Sequence, residues 1–198
     1  MDKGIAAAPH EGRSEQRSAL RTLLVGRLIL ADGREALCRI RNLSSAGMMI
    51  ETPAALTRDG AVAVELREER FSGRVVWVHD GQAGLHFDTM IDVGRALGEA
   101  RIAVARQDRP RAPRFRVGRR ARISHYGRST EVVIVDLSQS GACLGMEEPM
   151  APDTEFTLAI PGLPAMACRT RWADADRCGV IFQGILPYND LAAWLEEV

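Results

Sequence analysis

One short motif occurs twice in the chain and limits what it can fold into. Residues 42–47 read Asn-Leu-Ser-Ser-Ala-Gly and residues 136–141 read Asp-Leu-Ser-Gln-Ser-Gly, so both copies have the form (Asn/Asp)-Leu-Ser-x-x-Gly. The copies are 94 residues apart, and Trp77 and Trp172, 95 apart, keep nearly the same register. A repeat with a period one domain long predicts two tandem copies of a single domain rather than a solenoid.

The length fits this duplication. The 198 residues, 46% of them hydrophobic, suffice for two domains of about 90 to 100 residues, each with its own core. We predict a disordered N-terminus over residues 1–15, a first domain over 16–105, an Arg/Pro-rich linker over 106–113 and a second domain over 114–198.

Each copy contains six short apolar runs separated by turn signals, which predicts a mainly β fold: two small antiparallel barrels or sandwiches, each followed by a helix. The expected strands of the first copy are residues 23–30, 36–42, 47–51, 61–66, 71–78 and 82–87. Those of the second are 120–124, 131–136, 141–145, 154–160, 166–173 and 177–182, and the helices are 90–105 and 187–198. Strict alternation along 36–42 predicts that Asn42 shares a face with Cys38 and Ile40.

Charge is balanced overall but uneven along the chain. Basic and acidic residues number 26 each, which gives no global signature of a nucleic-acid-binding protein. Residues 106–122 nevertheless hold eight arginines against the single acid Asp108, and Lys3 is the only lysine. Arginine is a planar, bidentate donor suited to phosphate, although its excess over lysine is equally explained by genomic base composition.

Other residues restrict the function. The four cysteines, Cys38, Cys143, Cys168 and Cys178, show no paired or zinc-type spacing and predict buried free thiols in a reducing compartment. The sequence has neither a signal peptide nor a membrane-spanning apolar stretch, so we expect a cytoplasmic protein. We find no catalytic or metal-ligating constellation and expect no enzyme and no cofactor. Trp77 and Trp172 are expected in the cores.

The repeated motif alone predicts a turn, because Asx and Ser side chains bond their own backbone and Gly supplies positive φ. In the first copy, however, it is preceded by Arg17 and Arg21, spaced Arg-x-x-x-Arg. The order Arg-x-x-x-Arg, strand hairpin and (Asp/Asn)-x-Ser-x-x-Gly resembles the PilZ domain family, known as bacterial receptors for cyclic di-GMP. The resemblance implies six-stranded barrels with a C-terminal helix and two ligand-binding segments on each barrel surface.

The family's ligand residues carry over to both copies. In the first copy they are Arg17, Arg21, Asn42, Ser44 and Gly47. In the second they are Asp136, Ser138 and Gly141, with an arginine segment that matches either literally at Arg116 and Arg120 or, by the repeat register, at Arg111 with Arg114 or Arg116.

The chemistry of these residue types suits the ligand. Arginine binds phosphate and stacks on guanine, and a carboxylate accepts from guanine N1 and N2. Asn is a weaker acceptor than Asp, whereas the second copy has displaced arginines. We rank the first site narrowly ahead.

The resemblance implies a receptor or adaptor that changes its interdomain arrangement when cyclic di-GMP binds and signals to an effector protein on a separate chain. One alternative is a degenerate PilZ module that binds a protein partner and no nucleotide. A second alternative is nucleic-acid binding through the arginine run, against which the zero net charge argues.

Overall fold

The computed structural model describes residues 24–67, 69–96 and 112–197, and within them it shows two closed six-stranded antiparallel barrels. The first barrel has the circular strand order β1-β2-β3-β6-β5-β4. Its strands are β1 (Leu24–Leu30), β2 (Glu35–Leu43), β3 (Gly47–Glu51), β4 (Ala61–Leu66), β5 (Glu69–His79) and β6 (Gln82–Phe87). Closure leaves no unpaired sheet edge, which is how a small all-β domain satisfies its backbone groups.

The second barrel repeats this topology strand for strand, with the order β10-β11-β12-β9-β8-β7. Its strands are β7 (Phe115–His125), β8 (Arg128–Ser138), β9 (Gly141–Gly145), β10 (Glu155–Ala159), β11 (Met166–Ala173) and β12 (Arg177–Phe182). The expected fold class, two tandem six-stranded antiparallel barrels, is therefore confirmed. The domain boundaries set at residues 15, 105 and 113 remain predictions.

Each barrel encloses its own apolar core, because alternate residues of every strand point inward. In the first barrel Leu28, Ile50 and Val64 are fully buried, as are Ile134, Leu144 and Leu158 in the second. The four cysteines are free and buried, as predicted. Complete burial raises the pKa of the Cys38 thiol to about 12, and burial likewise raises that of Cys168 to about 12.

A C-terminal helix (Tyr188–Glu196) follows the second barrel. It buries Leu191 and Trp194, and the indole nitrogen of Trp194 donates to the Pro161 carbonyl at 2.8 Å. Arg119 donates to the Glu197 carbonyl at 2.6 Å, which places a cation at the negative end of the helix. After the first barrel the structure describes helix over 93–96. Residues 90–92, at the predicted start of this helix, are not helical, and 97–105 lie outside the described residues. Within the described part, no helix has the length and hydropathy needed to span a bilayer.

Several predicted strand bounds differ from the observed ones by one to three residues, and one differs by five. The first strand of the second barrel begins at Phe115, five residues before the predicted start at Arg120. A bulge between Arg116 and Arg119, with Gly118 at φ +69°, interrupts the alternation and hides the strand from a simple pattern.

Candidate functional site

The repeated motif forms the tight connection between the second and third strands of each barrel. Ser44 Oγ donates to the Gly47 carbonyl at 3.0 Å, and Ser138 Oγ donates to the Gly141 carbonyl at the same distance. Both serines therefore close their own loop, as expected of the motif taken alone. Each hydroxyl proton is used internally, which leaves the oxygen as an acceptor.

The motif glycines are required by a close strand contact and not by a left-handed backbone. A Cβ on Gly47 would lie 2.1 Å from the Leu85 carbonyl oxygen, and one on Gly141 would lie 2.2 Å from that of Val180. Neither glycine is among those with positive φ. The sequence-based expectation that this glycine supplies positive φ is therefore wrong: its hydrogen lets the third strand pack against the sixth.

A β-bulge precedes the motif in each barrel and sets the direction of its first residue. The pairing slips between Ile40 and Asn42 in the first barrel and between Ile134 and Asp136 in the second. Ile40 and Ile134 lie in the cores, whereas Asn42 pairs with Met49 and Asp136 with Cys143, between core residues of the neighbouring strand. Asn42 thus lies on the outer surface and not on the face of Cys38 and Ile40, as alternation had predicted.

Cross-strand pairing extends these positions into a line across each barrel. The outer row of the first barrel consists of Asn42, Met49, Gly84 and Trp77. The outer row of the second barrel consists of Arg116, Asp136, Cys143, Gly179 and Trp172. With strands about 4.8 Å apart, the line from Asp136 to Trp172 is roughly 14 Å long.

Both tryptophans lie on the surface, so the prediction that they belong to the cores is wrong. Trp77 is 40% exposed and Trp172 is 46% exposed. Each indole lies across a glycine of the adjacent strand: a Cβ on Gly84 or on Gly179 would be 2.0 Å from the indole nitrogen. Sequence reasoning did not include them among the candidate site residues, although the matched Trp and Gly positions of the two copies could have indicated them. Each pair leaves one face of a large ring available for stacking.

The structure brings two of the candidate arginines of the second copy to Asp136. Arg114 Nη1 lies 2.5 Å from Asp136 Oδ1, and Arg116 is the cross-strand partner of Asp136 on the outer face. Arg120 is not brought there: it pairs with Val133 and its guanidinium lies 3.4 Å from Glu131. Arg17, Arg21 and Arg111 lie outside the described residues.

Electrostatics differ between the two motifs. Asp136 carries a charge that Arg114 balances, and burial together with Asp136 raises the pKa of the neighbouring Cys143 thiol. Asn42 Oδ1 is buried and has no hydrogen-bond partner among the described residues. An unsatisfied buried acceptor is costly, so this position favours a donor from a ligand or from the segment ahead of β1.

No group of three or more His, Cys, Asp or Glu side chains within residues 24–67, 69–96 and 112–197 is placed to hold a metal ion. The surface features present are hydrogen-bonding, cationic and aromatic. This combination is suited to binding an anionic, ring-bearing molecule.

Several known protein structures are similar to this chain. Two solved structures that are similar over most of the chain are the PlzA protein of Borreliella burgdorferi in complex with c-di-GMP (10% identity, 87% of this chain and 86% of that one, TM-score 0.40) and the Bacillus subtilis inhibitor of motility MotI/DgrA (13%, 88% and 95%, 0.35). A third is Escherichia coli YcgR in complex with c-di-GMP (8%, 88% and 81%, 0.34). No curated protein matches.

These structural likenesses are too distant to carry an argument about function. The sequence profile of the PilZ domain, in contrast, matches residues 11–100 and again 108–197, which together make up most of the chain. The two barrels with their repeated motif are thus two PilZ domains in tandem, and the chain belongs to the PilZ domain family.

Proposed function

We propose that the protein is a cyclic di-GMP receptor of the cytoplasm that passes the signal to a separate effector protein. The observation that carries this proposal is the outer row. In the second barrel it aligns an arginine, a carboxylate and an exposed tryptophan on one face, with Arg114 beside them. A cyclic dinucleotide presents two phosphates and two guanines, and each of these groups has a complementary partner in the row.

Each contact follows from the chemistry of the side chain. Arg114 and Arg116 bind phosphate oxygens or stack on guanine, and Asp136 accepts from the N1 and N2 hydrogens of a guanine edge. The exposed face of Trp172 stacks on a base, an interaction of about 1 to 3 kcal/mol. In the first barrel Asn42 and Trp77 take the corresponding places, with Arg17 and Arg21 as the proposed cations.

Ligand binding at the second site is expected to alter the relation of the two barrels. Arg27 of the first barrel donates to the carbonyl of Arg114 at 3.4 Å, while the Arg114 side chain is held on Asp136. When a guanine binds Asp136 and a phosphate binds the Arg114 guanidinium, the ion pair between Arg114 and Asp136 is broken. The conformation of the segment to which Arg27 donates then changes. Binding energy that differs between two arrangements shifts their populations.

Calorimetric titration of the whole chain with cyclic di-GMP tests the proposal. We expect saturable binding that Arg116→Ala and Asp136→Ala each weaken about tenfold at the second site, the loss typical of one charge-assisted hydrogen bond. The matched control is Arg122→Ala, an exposed arginine farther along the same strand, which should bind as the wild type does. Absence of heat and of any rise in melting temperature with the nucleotide would contradict the proposal.

A specific observation also supports a second candidate, a module that binds a protein and no nucleotide. Val76, Trp77 and Val78, consecutive residues of β5, are all about two-fifths exposed. Clustered exposed apolar side chains are typical of interaction surfaces. If Arg21→Ala and Asp136→Ala leave the nucleotide titration unchanged while a protein partner still binds, this candidate replaces the first.

The arginine run gives weaker support to nucleic-acid binding. Arg120 is paired with Glu131, and Arg119 is bound to the end of the C-terminal helix. These guanidinium groups are therefore already engaged. A DNA or RNA affinity that falls steeply with salt concentration would be needed to favour this alternative.

A further inference from the structure

The C-terminal helix of the second barrel packs against the outer face of β2 in the first. Leu37, whose side chain points away from its own core, is only 1% exposed because it packs into the core cluster of the second barrel. Val25 on β1 packs against the same cluster. The two barrels therefore share an apolar contact beside the strand that carries Asn42.

Tyr188, the first residue of that helix, makes the polar contact between the barrels. Its hydroxyl lies 2.9 Å from the Glu51 carbonyl oxygen and 3.3 Å from that of Leu37. Burial raises the pKa of Tyr188, so the phenol keeps its proton and donates it. The guanidinium of Arg39 lies 4.2 Å from the centre of the Tyr188 ring, within the range of a cation–π interaction.

Glu51 links this contact to the first site. Its carboxylate accepts from Arg39 at 3.2 Å and from the Nε of Arg41 at 2.6 Å. Arg41 is the bulge residue that turns Asn42 to the surface. Alternate residues of a strand are about 7 Å apart, so the Arg39 side chain lies beside the outer row of the first barrel.

The second barrel has no such network. The positions that correspond to Arg39, Arg41 and Glu51 in the repeat are Val133, Val135 and Gly145, which cannot form ion pairs. Its bulge nevertheless forms, between Ile134 and Asp136. The network is therefore not needed to build the barrel, and it occurs only where the second barrel's helix is docked.

We propose that Tyr188 is a positioning residue for the first site, acting through Glu51 and Arg39 to hold the bulge that presents Asn42, so that the second barrel sets the affinity of the first. This inference rests on the proposed function of the first site. It predicts that changes at Tyr188 act on the first motif and leave the second, which is nearer in sequence, unaffected.

The experiment combines a nucleotide-free measurement with a titration. Hydrogen exchange is followed at the amides of residues 39–43 and, for comparison, at 133–137. Tyr188→Leu, which removes both the hydroxyl and the aromatic face, should raise exchange in the first segment only. In the titration, an Arg116→Ala and Asp136→Ala background isolates the first site. There Tyr188→Leu should weaken cyclic di-GMP binding about tenfold and Tyr188→Phe, which keeps the ring, about threefold.

Tyr126→Leu is the matched control, since this tyrosine is 94% exposed at a hairpin tip and should change neither measurement. Arg39→Gln provides a second variant should Tyr188→Leu fail to fold. Unchanged first-site affinity, or exchange that rises over the whole first barrel, overturns the proposal. If the wild-type first site binds no nucleotide, the proposed function of that site fails, and the exchange measurement alone decides whether Tyr188 positions the bulge.

Discussion

The two barrels share one scaffold but present different sites on it. Both have the bulge, the serine-closed loop and the tryptophan lying across a glycine. They differ at the proposed ligand residues: the Asn42 side-chain oxygen is buried and has no hydrogen-bond partner among the described residues, whereas Asp136 is already held by Arg114. The comparison separates the residues that the fold needs, which are repeated, from the proposed ligand residues, which have diverged.

The largest expected effect concerns the shared scaffold. Gly141→Val should destabilise the second barrel by about 3 kcal/mol, because the new Cβ would meet the Val180 carbonyl and backbone cannot move aside cheaply. Gly47→Val should do the same in the first. Gly184→Ala, where the added Cβ meets nothing within 4 Å, is the control, and urea unfolding measures all three. If Gly141→Val unfolds like the wild type, the glycine is not a scaffold requirement.

The next test exchanges the divergent residues. Asp136→Asn should weaken nucleotide binding at the second site about tenfold, since an ionised acceptor is worth about 1.5 to 3 kcal/mol in hydrogen bonds. Asn42→Asp should strengthen binding at the first site if Arg17 and Arg21 act there. Titration of both single variants, and of the variant that carries both exchanges, would show whether this residue alone decides which site binds the nucleotide more tightly. Equal affinities throughout would contradict that view.

A smaller effect is expected from the tryptophans. Trp172→Leu and Trp77→Leu should each lower affinity at their own site about threefold to tenfold through lost stacking. The melting temperature should change little, because each ring is more than one-third exposed. Trp194→Leu is the contrasting variant: its ring is buried, so it should lower stability and leave the nucleotide contacts alone. A Trp172→Leu protein that binds normally would remove this residue from the site.

A further test separates two thiols. Cys143 lies in the outer row, whereas Cys38 is fully enclosed and has its pKa raised to about 12. We expect Cys143 to react with an aromatic disulfide reagent about tenfold faster than Cys38 at pH 8. Saturating nucleotide should slow the reaction of Cys143 only. Mass spectrometry of the labelled peptides measures both rates, and Cys143→Ser is the control; protection of Cys38 instead would place the ligand elsewhere.

Because two of the thiols are buried, the free energy of unfolding should also decrease as the pH rises. The pKa values of Cys38 and Cys168 are raised to about 12 in the folded protein, above the value of about 8.5 to 9 of an unfolded thiol. Their contribution is complete below about pH 8.5 and is lost as the pH rises toward 12, because the unfolded chain releases these protons first. Chemical denaturation between pH 7 and 10.5 should show this decline, and Cys38→Ala should reduce it.

The sequence predicted the number of strands and the bounds of many of them. Strands 47–51, 61–66, 82–87, 141–145, 166–173 and 177–182 were predicted at their observed bounds. These predictions are correct because an apolar run bounded by turn residues is a pattern of residues that are close together in the chain. The largest errors occur at bulges: at Arg41, which reversed the face of Asn42, and in the strand beginning at Phe115.

The sequence by itself determined the duplication, the strand count and the two motif loops, since these depend on periodicity and on residues close together in the chain. Tertiary structure decided which residues share a surface. Trp172 and Asp136 come to lie in one outer row only through cross-strand pairing, and Tyr188 contacts Glu51 although 137 residues separate them in the chain. An extra residue in one strand reverses the side chains beyond it, and the energy that selects such a bulge comes from neighbouring strands that no local pattern contains.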